Sequence, residues 1–204
     1  LGDVYKRQPF CRGRIFDVVE KDCGQYDTVT EVMWVTGAAL FIRLADYREV
    51  GGLDGHFFAH MEEIDLCWRL RSRGKKLVCI PQSVVYHVGG ATLKKENPRK
   101  TFLNFRNNLL MLYKNLPDKE LEHVLFIRGI LDRVAALVFY LKKDRANARA
   151  VMQARREFED IRYSFAASRI ENMMKSTDEI IPERTHFSIV MKLSLIHISE
   201  PTRH

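Results

Sequence analysis

The stretch FFAHMEEIDLCWRLRSRG, residues 57–74, places three carboxylates, Glu62, Glu63 and Asp65, directly ahead of Arg69, Arg71 and Arg73. Acids at this spacing can do two different things. A carboxylate held beside a hydroxyl removes its proton as the oxygen attacks, and a base so positioned contributes roughly 10²–10⁴ in rate. In the first turn of a helix the same acids meet the positive end of the helix dipole, while arginines in the last turn meet the negative end. Asp65 and Arg69 also stand four apart, the separation of an ion pair on one helix face. Charge placement alone favours the helix-starting role, because such patterns are ordinary. His87, in VYHVGG, reads by itself as a strand-end histidine bonded to a backbone carbonyl. His56 and His60 are four apart but fall in a loop, without the helical H-E-x-x-H pattern of a zinc hydrolase.

The elements that must position these residues follow from periodicity. WVTGAALFIRL, residues 34–44, is an apolar, partly alternating run that predicts a buried strand interrupted by Gly37. ADYREVGG predicts a short helix closed by paired glycines, and a helix headed by the acids runs to Gly74. KLVCI and SVVYHV, residues 76–80 and 83–88, predict two further strands, closed by Pro81 and by Gly89 and Gly90. Strand, helix and strand in this order imply an α/β layer architecture. From Asn97 onward the pattern is helical, with Phe102, Phe105, Leu109, Leu112 and Leu116 at steps of three and four. Helices are predicted over about 119–142 and 145–163. HVLFIRGILDRVAALVFYLKK, within the first of these, suits a helix packed on the preceding domain better than one lying in a membrane interface.

Two ends of the chain stand apart. LGDVYKRQ, residues 1–8, can be written in codons whose reverse complement translates as LSLIHISE, which is residues 193–200. One inverted DNA segment accounts for both, as a translated sequencing adapter would, so residues 1–8 and 193–204 are set aside from fold reasoning. The natural segment is then expected to be 9–192, cut from a longer protein. The net charge of +7 falls to +6 when Lys6, Arg7 and Arg203 are removed against Asp3 and Glu200. A basic balance is compatible with phosphate-bearing ligands, nucleic acid or an anionic membrane, and selects none of them. Cys11, Cys23, Cys67 and Cys79 form no C-x-x-C pair, so reduced buried thiols are expected. The longest apolar run, VAALVFYL, is far short of the roughly 20 residues that span a bilayer.

The series VTGAALFIR, GGLDGHFFAHMEEIDLCWRLRSRG and VVYHVGG, in this order and with short spacers, resembles the acceptor-side half of family 2 glycosyltransferases of the GT-A fold, over about residues 32–117. The resemblance implies a partial, Rossmann-like GT-A domain over 9–93, a helical C-terminal extension over 94–175 and a linker over 176–192. It implies an inverting transfer of a hexosyl or rhamnosyl group from a nucleotide-sugar donor to a saccharide or lipid-linked acceptor in polysaccharide biosynthesis. In that family an acidic pair, usually Glu-Asp, precedes the helix, and its second member is the base. Here the pair is Glu62 and Glu63, which puts the base at Glu63, with Glu62 as runner-up and Asp65 orienting the helix start. The resemblance also places Trp34, Thr36 and Gly37 beside sugar and acceptor, and His87 near a divalent metal, Mg or Mn, whose main carboxylate ligands would lie in a missing N-terminal half. Lys94 and Lys95 would neutralise the leaving diphosphate. The expected location is the cytoplasm, at the inner face of the membrane with a peripheral contact, without nucleic acid as a partner. A segment without the donor half is expected to be inactive by itself. A non-enzymatic basic helical module, with Lys94, Lys95, Arg99, Lys100 and Arg106 on phosphates, is the alternative from another class; no nucleic-acid-binding signature accompanies it.

Overall fold

The computed structural model describes residues 2–5, 8–11, 13–15, 18–87, 97–177 and 184–185. Most of this is helix. Short strands occupy the start: β1 (Gly2–Tyr5) pairs antiparallel with β2 (Gln8–Cys11), and β3 (Arg14–Ile15) with β4 (Val18–Val19). β5 (Thr30–Glu31) precedes α1 (Leu44–Glu49) and α2 (Glu62–Ser72), and pairs antiparallel with β6 (Val78–Cys79). Then come α3 (Pro98–Asn115), α4 (Asp118–Leu141), α5 (Arg145–Ile161), α6 (Ala166–Lys175) and β7 (Arg184–Thr185), which lies parallel to β1.

The first part differs from the expected strand–helix–strand layer. Residues 34–44 do not form a strand. Thr36 accepts a hydrogen bond from the Ala38 N–H and opens a 3-10 turn over Gly37–Ala39, which ends the extended run. Val32 donates to the Leu77 carbonyl, and beyond it the pairing with the β6 segment stops. Of KLVCI only Val78–Cys79 pairs, and residues 83–87 are exposed and carry no ladder. The physical reason is common to all three: an apolar extended segment becomes a strand only where a neighbour satisfies its N–H and C=O groups. Over residues 30–87 the expected layer therefore reduces to one two-residue pair, β5 with β6.

The helical part follows its sequence signals closely. Asn97 caps α3 by accepting from the Arg99 N–H at 2.9 Å, and Pro98 follows at the first helical position. Asp144 caps α5 through the Asn147 N–H at 3.0 Å. The α1 segment closes on Gly51 and Gly52, both at positive φ; a Cβ on Gly52 would meet the Tyr47 ring at 2.8 Å, so only glycine fits. Trp68, Leu66, Phe57, Leu109, Leu112 and Phe158 form the centre of one core joining α2, α3 and α5. Trp68 is thus a core residue. The expected packing of α4 is only half met. This helix packs on α5 and buries Leu121, Val124 and Leu125 together with Arg128 and Asp132, while other large apolar side chains of α4 face outward. Two of the four cysteines, Cys11 and Cys23, are exposed, contrary to the expectation of buried thiols.

Candidate active site

The acids at the start of α2 are aimed by an unusual loop. Phe58, His60 and Met61 all have positive φ, at 61°, 71° and 74°. Non-glycine residues in this region are uncommon and cost of order 1–3 kcal/mol each, so the surroundings must hold them there. They do. Phe57 is fully buried, and the Asn107 side chain on α3 donates to the carbonyls of Phe57, Ala59 and His60, each at 2.8 Å. Arg106 adds a bond to the His56 carbonyl at 2.9 Å. The outcome is a helix that begins on a left-handed Met61 with no side-chain cap.

This entry turns Glu63 onto the segment around Gly37. A Cβ added at Gly37 would stand 3.8 Å from the Glu63 Cβ. One helical turn later the buried Cys67 thiol meets the backbone of Val35, and burial pushes its pKa up to about 12. Glu63 and Cys67 thus form one face of α2, and the turn 35–37 runs along it. Burial raises the Glu63 carboxyl above the ordinary glutamate range, and the neighbouring Glu62 charge adds to the rise. The backbone N–H groups of Glu63 and Ile64 pull the other way, which is the helix-starting role in part. The Oε2 atoms of both Glu62 and Glu63 are buried without a hydrogen-bond partner, as are Trp34 Nε1 and His60 Nε2. Burial and the Lys100 charge hold the His60 imidazole below its usual pKa, against the opposing pull of Glu62. Orphaned buried polar atoms of this kind call for a partner that the folded chain does not supply.

Asp65 does something else. It is fully buried on the opposite side, and its carboxylate accepts from Arg69 Nε at 3.0 Å and Nη2 at 2.8 Å, from Lys114 Nζ at 2.9 Å and from Asn115 at 2.7 Å. Arg69 continues to the carbonyls of Val50 and Gly52, and Lys114 bonds Asp54 at 2.7 Å. Burial works against ionisation of Asp54, but Lys114 and His56 outweigh it and bring its pKa down to about 2. Asp65 therefore orients α2 through buried side chains and not through the backbone N–H groups of the helix start. A cleft of about 680 Å³ opens on this network beside Asp54, Arg69, Arg73 and Lys114, and neither Glu62 nor Glu63 lines it. Its arginine and lysine at 69 and 114 are already paired with Asp65.

The other expected site residues are distributed as follows. Trp34 is buried, and Thr36 and Gly37 are exposed on the turn next to Glu63. His87 is exposed on an extended segment and makes no hydrogen bond or ion pair with Glu62 or Glu63 among the described residues. Lys94 and Lys95 lie outside the described residues. Sequence reasoning missed Asn107, Lys114 and Asn115. Their signal was available: polar residues standing inside the apolar run of α3, NNLLMLYKNL, must find buried partners. Asn107→Leu takes the side-chain donor from the Ala59 and His60 carbonyls, at roughly 1–3 kcal/mol each where they stay buried, while the Phe57 carbonyl keeps the Ala59 N–H. A calorimetric melt is expected to show a lower Tm for this variant, with little change for exposed Arg99→Ala; equal melts would show that the loop holds itself.

Compared with known proteins, the chain is 31% identical over 141 residues to the pre-mycofactocin glycosyltransferase of Mycobacterium tuberculosis, covering 64% of this chain and 29% of that protein. It is 38% identical over 56 residues to the N-acetylglucosaminyl-diphospho-decaprenol L-rhamnosyltransferase of the same organism, 28% of this chain and 18% of the relative. It is 33% identical over 69 residues to the rhamnosyltransferase WbbL of Escherichia coli K12, 34% of this chain and 25% of the relative. The chain thus spans less than a third of the length of each of these curated relatives. No family model and no solved structure matches.

Proposed function

We propose that the chain is the acceptor-side part of an inverting family 2 glycosyltransferase, with Glu63 as the base that deprotonates the acceptor hydroxyl. The observation that carries this reading is the placement of Glu63: half-buried, with one carboxylate oxygen unpartnered and its side chain against the turn at Gly37. The similarity to glycosyltransferases supports it independently. In the reaction the acceptor oxygen bonds to the anomeric carbon from one face while the bond to the nucleoside diphosphate breaks on the other. The hydroxyl proton passes to Glu63. Glu62 keeps the Glu63 carboxyl basic by like charge, and the turn 34–37 shapes the acceptor side.

The donor is a nucleotide-activated hexose or rhamnose and the acceptor a saccharide or lipid-linked saccharide, handled at the cytoplasmic face of the membrane. Lys94 and Lys95 belong to this reading as partners of the leaving diphosphate. Among the described residues no three His, Cys, Asp or Glu side chains group as metal ligands, and the exposed His87 does not hold an ion alone. A divalent metal, Mg or Mn, is therefore assigned to the whole enzyme, with His87 as one contributor, and no step above runs through it. A basic binding module is less well supported. Arg106, which it would direct at phosphates, is bound to Glu157 at 2.7 Å and to the His56 carbonyl.

The test is the pH dependence of kcat/KM in the full-length enzyme. A base works only when deprotonated, so activity rises with pH through the Glu63 pKa, and burial puts that limb above the usual glutamate value of 4.5. Glu62→Gln removes the like charge and is expected to move the limb to lower pH. A limb that stays in place in this variant would detach it from Glu63.

A further inference from the structure

Resting on the membrane location in that reading but on a surface apart from Glu63, α4 and α5 carry an extended exposed apolar face among the described residues. α4 buries Leu121, Val124 and Leu125 in its first half, but further along it buries Arg128 and Asp132, paired at 2.8 Å, with Arg155 joining Asp132 from α5 at 2.8 Å. Its outer face carries Phe126, Ile130, Leu131, Val134, Leu137 and Leu141, each between 49% and 70% exposed. At 3.6 residues per turn these side chains form one continuous stripe about 22 Å long. An apolar patch of that extent on a folded surface marks an interaction site.

The stripe borders a groove of about 530 Å³ between α4 and α5, whose floor includes Leu137, Tyr140 and Met152 and whose rim carries Arg145, Arg149 and Arg156. No acidic residue lines it. Lys142 and Lys143, both exposed, continue the basic rim at the end of α4. No helix among the described residues is long and apolar enough to cross a membrane. An apolar face bordered by cations on a helix too polar to span is the pattern of an element that lies in a bilayer interface.

We infer that the α4–α5 face docks on an anionic lipid bilayer, with the stripe entering the acyl boundary and Arg145, Arg149 and Arg156 on lipid phosphates. Charge complementarity decides for this occupant: a second copy of this basic surface would bring like charges together along the same rim. The geometry would hold the protein at the membrane by its helical extension.

The test is flotation of the full chain with vesicles of phosphatidylcholine alone and of phosphatidylcholine mixed with phosphatidylglycerol. Binding is expected to favour the anionic vesicles and to weaken with salt. Each basic residue at an anionic surface contributes about fivefold in partitioning, so the triple variant Arg145→Gln, Arg149→Gln, Arg156→Gln is expected to lose on the order of a hundredfold. Leu131→Glu with Leu137→Glu, both exposed and so compatible with folding by circular dichroism, is expected to abolish binding. Absence of vesicle binding by the unaltered chain would overturn the inference, as would binding that neither variant weakens. So would a dimer that the leucine substitutions split while vesicles are ignored, which would assign the face to a second copy.

Discussion

Asp65→Ala is expected to remove a large part of the stability of the folded protein. The carboxylate is fully buried and receives hydrogen bonds from Arg69, Lys114 and Asn115. Removing it leaves Arg69 beside two carbonyls and Lys114 with Asp54 alone, both cations still almost fully buried. Breaking a buried pair from one side costs about 3–5 kcal/mol, a large part of the 5–15 kcal/mol typical of a whole domain. Lys114→Ala removes the second cation and is expected to fall in the same range. The surface pair of Lys75 with Glu49, by contrast, is solvent-screened, and Glu49→Ala is expected to change little. Urea midpoints at constant slope measure the difference. An Asp65→Ala midpoint close to that of Glu49→Ala would show that the network is dispensable.

The sequence is most readable where local signals and burial agree. Asn97-Pro98, the apolar steps of α3 and the glycine pair after α1 predict elements that the structure contains, because caps, period and positive φ are local properties. The strands predicted over 34–44 and 83–88 are absent from the described residues 34–44 and 83–87. Their apolar runs predict burial, but pairing depends on a neighbour that the run itself cannot specify. The same division holds at the candidate site. That Glu62 and Glu63 head a helix is visible in the charge order. That Asp65, two residues on, turns inward follows from the helical period, yet its partners Lys114 and Asn115 lie about fifty residues away and only the fold brings them there. The loop at Phe58, His60 and Met61 carries no glycine to announce its left-handed turns; Asn107 enforces them from a distance. The outward apolar face of α4 was hidden for the opposite reason, since a period of 3.6 shows that a helix has two faces but not which one is inside.

Glu63→Gln in the full-length enzyme is the second large effect expected. Glutamine keeps the length and shape of the side chain and its place against Gly37, but it cannot take a proton. Removing a general base lowers turnover by roughly 10²–10⁴ and leaves donor binding nearly unchanged, because the lost interaction belongs to the transition state alone. Glu62→Gln is the control: it loses the like charge that raises Glu63 but retains the base, so its turnover at pH 7 stays near that of the unaltered enzyme. The decisive measurement is kcat for sugar transfer, at saturating donor and acceptor, in these two variants side by side. The account predicts a loss of at least about a hundredfold in Glu63→Gln and a near-normal rate in Glu62→Gln; an active Glu63→Gln beside an inactive Glu62→Gln would contradict it.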